Sequence, residues 1–480
     1  MSEALRNWSS TRRNGRAEPP RARAFSRRRL FTQLGASATL AVPALAGCGQ
    51  ESGAGPAVSR ELGPVTLQYG FYASEAEGQI WTKLCADFSR QSGRITVEPY
   101  RTNPDGDHFT RMNTLLAAGS ESEVMMWTTK NLTAWAVKDT FLPLDEYVKR
   151  SKTYKKDDIF PLEWSKNVFR GKLLALALTH SPLVIFYNKD VFARAGVAEP
   201  PHKWDDPKWT WDALLEMSRK LSKVSATPEQ STFGYDNGDS WWSVQPFFWS
   251  NGGELLSKDH TKVQIDSKQV VEAFQWVADL RQRHKVNPTA DDRRLTQGGT
   301  NGMLFAGKLA MFGSITSAAP TLAAQKDLNW DIAPTPRRTT QPWTRNPQLN
   351  ITISKNNGAK KVESAWQLIE HLAGEPGQKA MAELHRGLPA NKKVALSEAW
   401  LTPGAKQDWR VFVDAAEKFS HAEHEIIKFP EMDKLIADAY QKELLTGNAS
   451  ASQMAAAIKP QLEDLIRENT QLTQAGAGGK

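Results

Sequence analysis

The chain has 480 residues, 40% of them apolar, and a mean hydropathy of −0.51; this excludes a polytopic membrane protein and provides enough chain for two or three domains. Its formal charge of +8 suggests nucleic acid, but of 61 basic and 53 acidic residues, nine arginines and two glutamates lie in residues 1–47, leaving 52 against 51 in the remainder. The basicity belongs to the amino-terminal segment, so no nucleic-acid footprint is expected.

That segment reads as an export signal. "SRRRLF" (Ser26–Phe31) precedes a weakly apolar stretch from Leu34 to Ala46 and then "LAGC" (Leu45–Cys48), in the order of a charged region, an apolar region and a small-residue cleavage site. The apolar run is too short to span a bilayer as an anchor. Arg27-Arg28 resembles a twin-arginine signal, and "LAGC" resembles a bacterial lipobox, which implies that Cys48 becomes the lipidated first residue. Residues 49–59, "GQESGAGPAVS", then form a flexible linker. Cys85 is the only other cysteine; it lies in an apolar helical pattern and reads as a core residue, not a disulfide partner.

Structured sequence begins at "VTLQYGFY" (Val65–Tyr72), a buried strand by its β-branched and aromatic content. "EGQIWTKLCADFSRQSG" spaces Ile80, Leu84 and Phe88 four apart and predicts a helix stopped by Gly93. "RITVEPY", a helix around Thr110–Ala118 and the strand "EVMMW" follow. Strands alternating with helices at this spacing imply a parallel sheet with helices on its faces, and ligands bind beyond the carboxyl ends of such strands. Farther on come the strands "GKLLALAL" and "LVIFYNKD", the helices "DVFARAG" and "WDALLEMSRKLS", the amphipathic "VVEAFQWVADLRQRH", and the strands "GKLAMFGS", "WDIAPTP" and "NPQLNITIS". A helix at about Lys360–Ala373 and a mostly helical remainder close the chain, with a frayed tail "QAGAGGK".

Motifs for catalysis are few. Neither G-x-S-x-G, G-x-x-x-x-G-K-[ST] nor H-E-x-x-H is present. "HAEHE" (His421–Glu425) supplies two histidines three apart without a third ligand and reads as a solvated helix face. "DGDH" (Asp105–His108) lacks the remaining calcium ligands and reads as a turn. "QGGTNG" (Gln297–Gly302) matches no phosphate fingerprint and reads as a loop opening a helix. No cofactor and no metal is expected.

Aromatic supply is the positive signal. Seventeen tryptophans are present, and "WWSVQPFFWSNGG" (Trp241–Gly253) places five large aromatics in one short run. An indole offers a flat apolar plate and one N–H donor, the complement of a sugar ring with its C–H face and hydroxyl belt. Phe247 and Phe248 read as core, whereas Trp241 and Trp242, at a helix start, read as ligand-facing.

The lipobox, "EVMMW", "GKLLALALTHSPLVIFYNKDVFARAGVAEPP", "TWDALLEMSRKL", "NGGELLS", "FAGKLAMFGS" and "ITISKNNGAKKVESAWQLIEHLAGEPG" run in one order over most of residues 60–470. Together they resemble the extracellular solute-binding proteins of sugar ABC importers, the class typified by maltose-binding protein. The resemblance implies an α/β fold of two hinge-linked lobes with parallel-type sheets and helices on both faces. One lobe would comprise residues 61–178 with 345–392, the other 179–344 with 393–470, and 471–480 would be tail. It implies an aromatic-lined cleft with Trp127 and Trp242 against sugar, His180 or Ser181 as a polar cleft group, and Gly313-Ser314 in a cleft loop. Ile315 departs there from the family's usual aromatic, and Phe71 and Tyr72 stand where the relative has polar groups. Trp343 and Arg345 fall at the return crossover as further lining. The implied activity is capture of a di- or oligosaccharide, without catalysis, and delivery to ABC permease subunits. The protein would be a monomer, tethered by lipid outside the cytoplasmic membrane. Alternatives are a sensor or adhesion lipoprotein of the same fold, an importer component for a glycerophosphodiester, and a secreted glycoside hydrolase.

Overall fold

The computed structural model describes residues 63–103, 107–424 and 426–475. The export signal, Cys48 and the linker read from the sequence lie outside the described residues. Strand β1 (Val65–Tyr72), helix α1 (Glu75–Ser92), β2 (Ile95–Thr102), α2 (Asp107–Ala118) and β3 (Val124–Thr128) follow one another as anticipated. Helix α1 begins at Ser74, whose hydroxyl accepts from the Glu77 N–H, and stops at Gly93, whose φ of 65° turns its N–H back to the Ser89 carbonyl. Only glycine takes that left-handed conformation without a Cβ penalty.

The chain continues through α3 (Thr129–Ala136), β4 (Leu176–His180), β5 (Val184–Asn188), α4 (Lys189–Ala195), α5 (Trp211–Leu221), β6 (Phe233–Asp236), α6 (Gln245–Ser250) and α7 (Lys268–Gln282). Then come α8 (Gly299–Phe305), β7 (Leu309–Ser314), β8 (Trp330–Ala333), β9 (Gln348–Ile353), α9 (Val362–Ala373), β10 (Leu388–Pro389), α10 (Phe429–Ala439) and α11 (Ala451–Ala475). Ten of these strands make two sheets, in the orders β10-β4-β9-β3-β1-β2 and β8-β5-β7-β6. Parallel pairing is confined to β1 with β2 and β3 and to β6 with β7. The strands next to the crossovers, β4, β5 and β9, pair antiparallel, so both sheets are mixed. Residues 181–183 carry the chain straight from β4 into the other sheet at β5. No helical return, which parallel neighbours need, fits in that link.

Each sheet buries its own core. Leu67, Val124, Ile351 and Leu368 pack beneath the first, whereas Tyr187, Trp211, Phe248 and Phe274 pack beneath the second. Helices α10 and α11 cover the second body through Met432, Ile436, Met454 and Ile458. Phe247 and Phe248 lie in that core as the sequence suggests. Cys85 is a buried free thiol whose pKa burial pushes up to about 12. Among the described residues no helix is long and apolar enough to cross a membrane.

Near the carboxyl end of β5, the Tyr187 hydroxyl donates to Glu199 at 2.9 Å and lies 3.1 Å from His202 Nε2. His202 also meets Asp331 and Asp408, each at 3.4 Å. The hydrogen bond to Asp408, with the charge of Asp331, raises its pKa above the ordinary 6.5 against the opposing effect of burial. A histidine favoured in its charged form stabilises the fold fully below that ordinary value, and the contribution fades as pH rises through the folded one. The melting temperature is therefore expected to fall above pH 6.5 by more in the parent than in His202→Gln. Parallel pH profiles for the two proteins would count against this assignment.

Candidate functional site

Strand alternation sorts the residues of β1. Leu67, Tyr69 and Phe71 share one face and lie in the core, Phe71 stacked on Tyr69 at 5.0 Å. Phe71, expected to face ligand, is 0% exposed and presents nothing to solvent. Tyr72 falls on the opposite face at the strand end, half-buried, with ring centroids 4.9 Å from His108 and 5.5 Å from Phe109. Burial and the nearby Glu77 carboxylate keep its hydroxyl protonated, a neutral donor. Phe109 in turn lies 6.0 Å from Trp127, which is sealed against Phe141 at 0% exposure. Trp127 was expected to stack on sugar. It is instead the floor beneath Phe109, because β3 is an interior strand flanked by β1 and β9.

The parallel pair β6 and β7 ends at a polar pocket of about 310 Å³, lined by Asp236, Gly238, Thr300, Asn301, Gly313 and Ser314. A Cβ at Gly313 would meet the Tyr235 hydroxyl at 2.9 Å, so any larger residue there would have to displace that buried side chain. Asp236, 1% exposed, accepts from Arg293 at 3.1 Å, the Thr300 hydroxyl at 2.8 Å and the Gly238 N–H at 2.8 Å. Arg293 and Arg281 both reach Asp239. Burial alone would raise the Asp239 pKa, but the two guanidiniums outweigh it and hold the carboxyl below its usual range. Asp236 thus positions Thr300, and "QGGTNG", read as a loop opening a helix, does open α8 and supplies two residues of the pocket wall. Arg386 ties this pocket to the first sheet: its Nε donates to Glu77 at 2.9 Å and its Nη1 to the carbonyl of Ser317 at 3.1 Å. Ser317 also lines the pocket.

The Trp-Trp pair lies against α10. Residues Trp241–Val244 form a 3-10 turn that Ser240 starts by accepting from the Trp242 N–H. Trp241, expected to face ligand, is 1% exposed in the core, because the 3-10 turn directs successive side chains to different sides. Trp242 is half-buried. Both indole N–H groups donate to Asp433 on α10, at 2.8 and 2.5 Å. Lys130 of α3 holds its ammonium 3.9 Å from the Trp242 ring centroid, and the Arg345 guanidinium lies 4.6 Å from it.

At the crossovers, His180 is fully buried, with Nε2 3.2 Å from the carbonyl of Pro389 and Nδ1 2.7 Å from Asn346. It is not a cleft group, since β4 runs between β9 and β10 and residues of both strands pair with His180. Ser181 is half-buried and accepts from Thr316 at 2.7 Å. Trp343 is half-buried with an edge-on contact to His421 at 5.0 Å. His421 and His424 do not form a helix face; they lie in irregular chain and both face Glu254, at 2.9 and 3.3 Å. Among the described residues no group of three or more histidine, cysteine, aspartate or glutamate side chains is placed to hold a metal.

Of the residues nominated from sequence, Gly313 and Ser314 share the pocket and Trp242 and Arg345 share a contact, while Tyr72 stands at the end of β1 against His108 and Phe109. Phe109, Lys130, Asp236, Thr300, Asn301 and Asp433 were not nominated. Phe109 alone carried a usable signal, an aromatic at a helix start just after a strand, the same reasoning that selected Trp242.

The profile of the family described as bacterial extracellular solute-binding protein matches residues 72–379, well over half of the chain. The Brucella abortus binding protein BAB2_0491 is 23% identical over 348 residues, which are 71% of this chain and 79% of that protein. The sn-glycerol-3-phosphate-binding periplasmic protein UgpB of Rhizobium meliloti is 24% identical over 45% of this chain and 50% of its own length. Among solved structures, the ABC substrate-binding protein Lmo0181 from Listeria monocytogenes in complex with cycloalternan is similar, with a TM-score of 0.73 and 19% identity. The match covers 85% of this chain and 99% of that one.

Proposed function

We propose, from the premise that this chain belongs to the bacterial extracellular solute-binding protein family, that it captures a neutral, hydroxyl-rich sugar between its two sheet bodies and delivers it to the permease of an ABC importer. The observation that carries this reading is the pocket at the ends of β6 and β7. Its wall consists of Thr300, Asn301, Ser314 and backbone beside Gly313, a set of donors and acceptors suited to hydroxyls. Tyr72 and Phe109 on the first body and Trp242 on the second supply aromatic surface for the C–H face of the ring.

Charge supports the same class. The cations along the crevice all have carboxylate partners: Arg293 with Asp236, Arg386 with Glu77, Lys130 with Asp433 and Arg345 with Glu423. A phosphate ester needs cations free to make charge-assisted bonds, so the similarity to the glycerol-phosphate-binding relative favours a shared fold over a shared ligand. Residues contacted from both bodies at once reward only the closed arrangement, and ligand shifts the population by that difference. We assign residues 61–178 with 345–392 to one lobe and 179–344 with 393–470 to the other. The amino-terminal signal and Cys48 support export and lipid anchoring on the outer side of the membrane, where the protein acts as a monomer.

A thermal-shift screen of neutral di- and oligosaccharides against sn-glycerol 3-phosphate tests the ligand class. A rise in melting temperature that saturates with at least one neutral sugar is expected. A rise with the phosphate ester and with none of the sugars would overturn it.

A further inference from the structure

Trp242 lies in a contact made wholly of the protein's own groups, and those groups come from both bodies. Lys130 lies on α3, directly after β3 of the first sheet. Trp242 and Asp433 belong to the second body, where α10 packs against the core, and α3 packs on α10. The Lys130 ammonium is 3.9 Å from the Trp242 ring centroid and 3.8 Å from Asp433 Oδ2. Asp433 Oδ1 accepts both indole N–H bonds, so the carboxylate is fixed before the lysine arrives.

Three features separate this contact from an ordinary surface ion pair. The side chains of Lys130 and Asp433 are 26% and 20% exposed, which weakens screening by water and salt. A cation on an indole is attracted more strongly when partly desolvated. Finally, Arg345, in the crossover segment ahead of β9, also lies over the Trp242 ring and is paired with Glu423 at 2.9 Å, so the ring is in contact with both bodies and the crossover between them.

We propose that Lys130, Trp242 and Asp433 form a clasp that closes the two bodies on each other without any solute, and that a sugar must displace the lysine to lie against the Trp242 ring. The clasp makes Lys130 a determinant of affinity: part of the binding free energy opens a contact the protein already has. The second half of the proposal rests on the sugar reading; the first half does not.

Small-angle scattering of the protein without added solute tests the first half. A compact chain of this size has a radius of gyration of about 23 Å. Lys130→Met and Asp433→Asn are expected to scatter with a larger radius than the parent, and Lys130→Arg, which keeps a cation on the ring, with the parent's radius. Melting curves recorded on the same samples establish that each variant is folded. Identical profiles for the parent and folded Lys130→Met would overturn the clasp. Equilibrium dialysis with a sugar found by the screen tests the second half. Lys130→Met is expected to bind at least about threefold more tightly, and weaker binding would overturn the competition. If no sugar binds any of the proteins, the sugar reading fails and takes the competition with it, while the scattering result still decides the clasp.

Discussion

Replacing Glu163 by alanine is expected to lower the unfolding free energy by about 3–5 kcal/mol, the usual consequence of leaving a buried charge without its partner. Glu163 is 1% exposed, and its carboxylate meets Lys166 at 3.0 Å, His180 at 3.5 Å and the side-chain amide of Asn346 at 3.0 Å. Lys166 also donates to the carbonyl of Asn346 at 2.7 Å, and the Asn346 amide reaches Ser420 at 3.0 Å. The group therefore fastens the return crossover to the first body and to the segment that follows it. Without Glu163 the Lys166 ammonium, 5% exposed, would keep one carbonyl and lose its directly bonded counter-charge, leaving only the more distant carboxylate of Glu423. Urea unfolding of the parent, Glu163→Ala and the double variant Glu163→Gln with Lys166→Met measures this. The double variant removes both charges and is expected to recover most of the loss. A single variant within about 1 kcal/mol of the parent would show that the network is dispensable. Acid provides a second check. Burial pushes the Glu163 carboxyl up, but Lys166 and His180 outweigh it and hold the carboxyl below its ordinary 4.5. Its contribution is thus present above pH 4.5 and is lost as pH falls through the lower folded value, and Glu163→Ala should lack that acid-sensitive component.

Replacing Trp242 by alanine is expected to weaken sugar binding by about 2 kcal/mol, roughly thirtyfold, the scale of a central aromatic contact. The variant removes the only tryptophan of the nominated trio at 127, 241 and 242 that is not fully buried. It also removes one of the two indole donors to Asp433 and the ring beneath Lys130. Comparison with Lys130→Met separates these effects, since that variant opens the same contact while keeping the ring. Titration calorimetry should show weaker binding for Trp242→Ala alone. Equal weakening in both variants would mean that closure, not stacking, sets the affinity. Unchanged binding in Trp242→Ala would remove this residue from the site.

Local sequence determined the elements and their caps. Ser74 and Gly93 bound α1 where the pattern places it, and Asn188 caps α4 by accepting from the N–H groups of Asp190 and Val191. Such signals act within a few residues, so they survive without knowledge of the rest of the chain. The order of a handful of segments along the chain was also enough to indicate the family, and hence its two-lobed fold.

Which aromatic faces the cleft was decided by the tertiary structure. Phe71 and Tyr72 are neighbours in sequence, yet the pleat buries one fully in the core and leaves the other half-buried against His108 and Phe109. Trp241 and Trp242, whose indole N–H groups meet at Asp433, differ in exposure across one 3-10 turn, one sealed in the core and the other half-buried. The polar wall is farther still from local legibility, because Asp236, Thr300 and Ser314 come from three elements up to 78 positions apart. Lys130 and Asp433, 303 positions apart, meet only because α3 and α10 pack together. Sequence fixes what a segment prefers to become through forces that act over one turn or one pleat. The partners of a polar group, and the side of a ring that stays open, depend on contacts that exist only once distant segments have packed.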